Sequence, residues 1–362
     1  MADRAIDGVG ISGDRFQRGG NEGEFDEHGT LPITEAAPMK PVAHGGDLGE
    51  IQRRFPDAPR PWIDLSTGIN PVAYPVPDLP ADRWARLPSR SDEQATLGAA
   101  AARYGVRNPE TIVAAPGTQA LIQLLPRLMP KMRVAVVGPT YEEHAVSWRR
   151  QGHEVTTVGD FSEAGGAEAV VVVNPDNPTG RLLTTTELRS RKALLVVDEA
   201  FIDFLPASAS LAGDLPKNAI VLRSFGKAYG LAGLRLGFAI AEPDIAARLR
   251  EELGPWAVSG PALAIGRAAL EDKAWLTAAA AHLERDGKRL DKMLIAAGFT
   301  LLGSTPLFRL ARHDDAAGMV RQLGRQGIHV RAFFLEPDRL RFGLPGSDGD
   351  FRRLTAALGS AL

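Results

Sequence analysis

One lysine in this chain is flanked by two groups that can hold a phosphate ester beside it. Lys227 lies three residues after Ser224 and eight residues before Arg235, in a segment rich in glycine and alanine. A lysine amine forms a Schiff base with an aldehyde, and a hydroxyl and a guanidinium bind phosphate. The spacing predicts a site for pyridoxal 5'-phosphate. The alternative is a glycine-rich surface loop with a solvated lysine.

Short apolar runs alternate with helical patterns from about residue 95, which is typical of parallel strands joined by helical crossovers. The clearest predicted strands cover residues 133–137, 169–174, 193–198, 220–223 and 237–240. Ligands of open α/β sheets bind beyond the carboxyl ends of the strands. We therefore expect Asn174, Asp198 and Ser224 to face one crevice.

The length of 362 residues allows a large and a smaller domain. We predict four segments from composition and pattern: a polar disordered leader (1–39), an N-terminal arm (40–61), a large α/β domain (62–261) and a small α+β domain (262–362). The small domain is predicted from long helical patterns around short strands at 328–331 and 340–342.

Composition excludes several classes of function. The chain has 42 basic and 44 acidic residues and a net charge of -2, which gives no electrostatic reason to expect nucleic acid or an acidic membrane as partner. No apolar run approaches the roughly 18 residues of a membrane span, so we expect a soluble protein. The absence of cysteine is consistent with the cytoplasm, and seven histidines without ligand spacing predict no metal site.

Asp198 ends a predicted strand, where a buried carboxylate needs a positive partner. A pyridinium N–H is such a partner, and it keeps the cofactor ring protonated as an electron sink. The alternative is an aspartate that caps a helix.

Further candidate cofactor contacts lie at the ends of predicted strands or at the start of a predicted helix. Gly117 and Thr118 precede an amphipathic helix and could form a phosphate cup, or an ordinary helix cap. Asn177 lies in a turn fixed by two prolines and Gly180, where its amide could donate to the ring oxygen of the cofactor. Tyr141 could stack on the ring, or could simply pack.

The order of these motifs resembles that of the fold-type I aminotransferase superfamily, from about residue 62 to the C-terminus. The resemblance implies a mainly parallel sheet flanked by helices, with Lys227 as the Schiff-base lysine and Asp198 on the pyridine nitrogen. It also implies a homodimer with sites at the subunit interface. The other cofactor contacts that it implies are Asn177 on the ring hydroxyl, Tyr141 stacked on the ring, and Gly117, Thr118, Ser224 and Arg235 on the phosphate.

Within that superfamily the chain resembles the histidinol-phosphate aminotransferase branch, and within the branch the threonine-phosphate decarboxylases of cobalamin synthesis. Three features carry this second resemblance: the H-G-G segment at residues 44–46, the D-x-S-x-x-I-N-P stretch at 64–71, and Phe201 in place of a tyrosine. It implies that His44 and Gly45 help to bind a substrate phosphate. The alternative for H-G-G is a flexible turn.

Two late arginines complete the expected substrate site. Arg341 matches the family's arginine for the substrate carboxylate, and Arg331 matches an arginine for the substrate phosphate, or is a surface charge. Asn177 is expected to contact the substrate as well. The implied reaction is decarboxylation of L-threonine O-3-phosphate to (R)-1-amino-2-propanol O-phosphate. The alternatives are an aminotransferase of the histidinol-phosphate type and a ligand-binding protein without cofactor.

The chain departs from the family pattern at two positions. Gly226 stands where relatives usually carry serine or threonine, which removes one expected phosphate contact. Tyr74 is close to, but not aligned with, the tyrosine that reaches the cofactor of the neighbouring subunit in aminotransferases.

Overall fold

The computed structural model describes residues 45–359, and within this range two β-sheets organise the chain. The leader predicted over residues 1–39 and His44 lie outside the described residues. The strands are β1 (Ile63–Leu65), β2 (Ile112–Ala115), β3 (Arg133–Val137), β4 (Glu154–Val158), β5 (Ala169–Val173), β6 (Leu194–Asp198), β7 (Ala219–Ser224), β8 (Gly237–Ile240), β9 (Thr300–Thr305), β10 (Phe308–Arg312), β11 (Ile328–Ala332) and β12 (Arg339–Gly343).

The α-helices of the described range differ widely in length, and the longest has 24 residues. They are α1 (Leu48–Arg54), α2 (Asp82–Ala85), α3 (Arg90–Tyr104), α4 (Thr118–Leu128), α5 (Glu143–Arg150), α6 (Thr185–Arg189), α7 (Phe225–Ala228), α8 (Pro243–Leu253), α9 (Gly260–Glu271), α10 (Lys273–Ala296), α11 (Ala316–Arg325) and α12 (Asp348–Leu358). Among the described residues, none of these helices combines the length and apolar character needed to span a membrane.

The large sheet has seven strands in the order β2-β8-β7-β6-β5-β3-β4. All five strands predicted in this region are present, and the mainly parallel sheet is confirmed. β8 differs from the prediction because it runs antiparallel to both of its neighbours, β2 and β7. A strand buried on both faces is apolar throughout whichever way it runs, so its pattern does not encode its direction.

Both faces of the large sheet are covered, because side chains alternate between two apolar cores. Val137, Val172 and Val197 belong to the core that includes α3 and α9. Val136, Val171 and Val196 belong to the core that includes α4, α5 and α8. This burial fixes the register of the parallel strands and therefore the height at which each one ends.

The smaller sheet has five strands in the order β1-β11-β12-β10-β9, and it packs on α10, α11 and α12. The strands predicted at 328–331 and 340–342 are confirmed as parts of β11 and β12. β1 pairs in parallel with β11, so the first strand of the predicted large domain lies in this sheet. A three-residue run does not reveal its partner strand. The domain limits remain a prediction.

The start of the predicted small domain also falls inside an element. Residue 262 lies in α9, whose buried side chains belong to a core of the large sheet. The packing changes along α10, where Leu276 joins the core of the large sheet and Leu283 that of the small sheet. One long helix therefore connects the two sheets.

Candidate active site

The turn that carries Lys227 follows β7 directly and is held by the N-terminal part of the chain. The backbone N–H of Asn70 donates to the carbonyl of Lys227 over 2.9 Å, and its side-chain Nδ2 donates to the carbonyl of Ala228 over 2.9 Å. Asn70 belongs to the D-x-S-x-x-I-N-P stretch, so this stretch fixes the position of the lysine.

The surroundings of Lys227 favour the uncharged form of its amine, which is the nucleophilic form. Burial is the main cause that lowers its pKa, to about 8, and the charges of Arg341 and Arg235 lower it further. Asp198 acts in the opposite direction. The lowered pKa increases the fraction of the amine that is uncharged near neutral pH, and the uncharged form is the one that attacks an aldehyde.

Asp198 is 4 % exposed and ends β6 as predicted. Its Oδ1 accepts a hydrogen bond from the N–H of Ala200 over 3.1 Å, and its Oδ2 lies 3.0 Å from Nε2 of His144. Among residues 45–359 no lysine or arginine forms a salt bridge with it. A buried carboxylate without a permanent cation fits a pyridinium nitrogen.

The sequence analysis missed His144, which holds this carboxylate. His144 is buried in α5 and lies edge-on to the ring of Tyr141, with centroids 6.2 Å apart. It is 54 residues from Asp198 along the chain, and no spacing motif joins the two. The sequence signal that could have located it is its position three residues after Tyr141, at the start of α5.

The predicted phosphate contacts meet at the start of α4 and the end of β7. Gly117 caps α4 with φ +83°, and a Cβ atom added there would lie 2.6 Å from Nη2 of Arg235. Thr118 is the first residue of this 11-residue helix, and Ser224 is the last residue of β7 and makes no capping bond to α7. Helix N–H groups and a guanidinium around a space that admits no side chain fit a phosphate.

The packing around Gly226 explains why this position carries glycine and not the serine or threonine of the family pattern. A Cβ atom at this position would lie 2.7 Å from Cα of Ala232, which is backbone and cannot move aside easily. The serine or threonine that relatives carry therefore has no room in this chain.

We expect Gly226→Ser to destabilise the protein by about 1–3 kcal/mol, because overpacking against backbone forces a shift of the lysine turn. Gly233→Ser is the matched control, since a Cβ atom at Gly233 has nothing within 4 Å. Urea unfolding of the cofactor-free variants measures the difference. Equal free energies of unfolding for the two variants would contradict the packing argument.

Two predicted ring contacts have partners within the chain. The hydroxyl of Tyr141 donates to Oε1 of Gln119 over 3.0 Å, and burial raises its pKa to about 12. Oδ1 of Asn177 accepts a hydrogen bond from Nη1 of Arg341. Asn177 therefore links the turn after β5 to Arg341, the arginine predicted for the substrate carboxylate.

Asn174 does not face the crevice as predicted. Its side chain is fully buried and bonds twice with Leu183, donating through Nδ2 over 3.1 Å and accepting through Oδ1 over 2.7 Å. A side-chain amide can satisfy both backbone groups of one residue, so it closes the base of this loop. Asn174 shapes the turn that carries Asn177.

Arg341 is a buried cation that forms no salt bridge within residues 45–359, and Asp64 is the acidic side chain that acts on its charge. It is 7 % exposed, its Nη2 donates to the carbonyl of Ser66 over 2.6 Å, and its Nε has no described partner. Burial lowers its pKa to about 10, and Arg331 contributes to this. The two neutral acceptors orient the guanidinium but leave its charge for an incoming anion.

Arg331 lies directly opposite Arg341, because β11 and β12 pair antiparallel with these two residues in register. Arg331 is half-buried, and its guanidinium lies 5.7 Å from the ring centroid of Phe333. Opposed residues of neighbouring strands share one face of the sheet. The sheet thus brings both predicted substrate arginines together.

The described end of the N-terminal arm reaches the same place. A Cβ atom at Gly45 would collide with the carbonyl oxygen of Ser66, and the N–H of Gly46 donates to Oγ of Ser66 over 2.8 Å. Since the carbonyl of Ser66 also accepts a hydrogen bond from Arg341, both glycines of H-G-G contact the residue that binds the arginine predicted for the substrate carboxylate. No structural statement applies to His44.

Tyr74 is packed inside its own chain. It is 9 % exposed and meets Trp275 and Tyr229 edge-on at 5.2 and 6.3 Å between centroids. Its side chain belongs to the core that covers one face of the large sheet.

Comparison with known proteins agrees with this arrangement. A profile of the family described as aminotransferase class I and II matches residues 90–358. The chain is 44 % identical to threonine-phosphate decarboxylase from Sinorhizobium sp over 88 % of this chain and 98 % of the relative, and 39 % identical to that of Pseudomonas aeruginosa over 88 % and 97 %.

Solved structures show the same fold. Histidinol-phosphate aminotransferase from Sinorhizobium meliloti, solved in complex with pyridoxal 5'-phosphate, superimposes with a TM-score of 0.76 at 21 % identity and covers 91 % of this chain and 97 % of its own. From the profile match and the two relatives we conclude that this chain belongs to the aminotransferase class I and II family, in the group that includes the threonine-phosphate decarboxylases.

Proposed function

We propose that this chain is a pyridoxal 5'-phosphate enzyme that decarboxylates L-threonine O-3-phosphate to (R)-1-amino-2-propanol O-phosphate, in cobalamin synthesis. The single observation that carries the proposal is the pair of opposed arginines, Arg331 and Arg341, of which Arg341 lies close enough to Lys227 to lower the pKa of its amine. They match an amino acid with a carboxylate at one end and a phosphate at the other. The relatives with this named activity support it over nearly their whole length.

The residues of the crevice fit the cofactor. Lys227 would bind its aldehyde, Asp198 its ring nitrogen, and the cup of Gly117, Thr118, Ser224 and Arg235 its phosphate. Tyr141 and Asn177 would contact the ring and its hydroxyl. When bound, the cofactor supplies an electron sink for the bond that breaks at the α carbon.

The protein residues select which bond breaks. Arg341 would hold the α-carboxylate through two N–H groups, and its Nε is the donor that has no described partner. Arg331, with Gly45 and His44 of the arm, would hold the phosphate and so fix the rotation of the substrate. The bond from the α carbon to the carboxylate carbon breaks, carbon dioxide leaves, and Lys227 would donate the proton that replaces it.

The proposal also includes an oligomeric state and a cellular location. A homodimer is supported by large apolar side chains that are exposed in the single chain. They include Trp84 (68 % exposed), Leu87 (66 %) and Trp256 (59 %). A cytoplasmic location is supported by the absence of cysteine in a chain of this size.

Incubation with L-threonine O-3-phosphate and no keto acid tests the reaction. We expect release of carbon dioxide and the amino alcohol phosphate in equal amounts over many turnovers, because decarboxylation needs no amino acceptor. Conversion of the cofactor to pyridoxamine phosphate in a single turnover, without carbon dioxide, would instead identify an aminotransferase of the histidinol-phosphate type.

A further inference from the structure

One serine contacts both ends of the expected substrate site. Ser66 accepts the N–H of Gly46 at its hydroxyl over 2.8 Å and the guanidinium of Arg341 at its carbonyl over 2.6 Å. It is fully buried, and it follows β1 at the edge of the five-stranded sheet. The arm and the carboxylate arginine therefore share one residue.

Asp64 fixes the orientation of this serine. Its Oδ1 accepts hydrogen bonds from the backbone N–H of Ser66 over 2.8 Å and from its hydroxyl over 2.6 Å. Because the hydroxyl proton is committed to Asp64, an oxygen lone pair remains to accept from Gly46. The carboxylate thus makes the serine an acceptor for the arm.

The fit between the arm and the serine is close. Gly45 admits no Cβ atom because the carbonyl of Ser66 occupies that space, and this is the same carbonyl that binds Arg341. A displacement of the arm therefore changes the surroundings of the atom that orients the guanidinium. A Cβ atom at Gly68, two residues later, would collide with the ring of Phe201. The D-x-S-x-x-I-N-P stretch is therefore packed closely on this side too, and has little freedom to absorb a displacement of the arm.

We propose that Ser66 is a positioning residue that couples the N-terminal arm to Arg341, so that a phosphate at one end of the substrate strengthens the binding of the carboxylate at the other. This inference rests on the proposed function. Phosphate bound beside Gly45 would hold Gly45 and Gly46 in their present contacts with Ser66, and so hold Arg341 in the orientation that its bond to the Ser66 carbonyl gives it. Such coupling favours phosphorylated amino acids over free ones without any contact between Ser66 and the phosphate.

Titration calorimetry on the cofactor-loaded protein tests the coupling without turnover. L-threonine supplies the carboxylate end and inorganic phosphate supplies the other. In the wild-type protein we expect saturating phosphate to tighten L-threonine binding by roughly fivefold or more. In Ser66→Ala this factor should fall to about one, because the arm loses its hydrogen bond while the carbonyl that binds Arg341 remains.

Ser162→Ala is a matched control. Ser162 makes the same two hydrogen bonds to an aspartate two residues earlier, Asp160, over 2.8 and 2.7 Å, but it lies on the exposed surface. This variant should keep the wild-type factor. Hydrogen exchange at Gly46 should accelerate in Ser66→Ala alone, which shows that the arm has been released.

Three outcomes would overturn the inference: no strengthening by phosphate in the wild-type protein, an equal factor in Ser66→Ala, or an equal loss in Ser162→Ala. These outcomes are independent of the proposed reaction. If the wild-type protein releases carbon dioxide but shows no coupling, only the inference fails. If it couples the two ligands but releases none, only the proposed reaction fails.

Discussion

Replacement of Lys227 by alanine is expected to reduce decarboxylation by roughly a thousandfold or more and to remove the visible absorption of lysine-bound cofactor. The variant loses both the amine that binds the aldehyde and the group that returns a proton to the α carbon. The half-buried position of Lys227 and the pKa of about 8 set this amine apart from the exposed lysines of the described residues.

Lys217→Ala is the control for this variant, because Lys217 is exposed and lies before β7. It should retain wild-type colour and rate. Absorbance and carbon dioxide release are measured on the same preparations. A Lys227→Ala protein that keeps more than a tenth of the wild-type rate would show that another group performs the chemistry.

Asp198→Asn is expected to lower kcat by about 10²–10⁴-fold while the cofactor stays bound. Asparagine keeps the size of the side chain and can still accept from Ala200, but it removes the charge that would stabilise a protonated ring nitrogen. His144 would then face a neutral amide.

The retained absorbance separates loss of chemistry from loss of cofactor in this experiment. Asp214→Asn is the control, since the side chain of Asp214 is 86 % exposed and, within the described part of the chain, forms its salt bridge with Arg189 at the surface. Its kcat should be that of the wild-type protein. An Asp198→Asn rate within tenfold of wild type would mean that the ring does not depend on this carboxylate.

The sequence predicted the parts of the site that depend on local order. β6 is apolar up to Asp198 and β7 is apolar up to Leu222, so the existence of both strands follows from burial. Ser224 ends β7, Lys227 lies in the short helix that follows it, and the charge of Arg235 reaches the amine of Lys227.

The parts that were not predicted depend on contacts between distant segments. His144 meets Asp198 only because α5 packs against the sheet beyond β6. β1 joins the small sheet through pairing with a strand more than 250 residues later. Asn174 turns into its own loop because a buried amide finds two backbone partners there. None of these three contacts produces a periodic pattern in the sequence.

Reduction of the loaded protein with borohydride, followed by peptide mapping, shows which lysine is joined to the cofactor. The reduced linkage is stable, so mass spectrometry locates it. We predict that the cofactor mass is found only on the peptide that contains Lys227. Recovery of the label on a different lysine, or of unlabelled peptides with free cofactor, would show that the cofactor is not joined to Lys227.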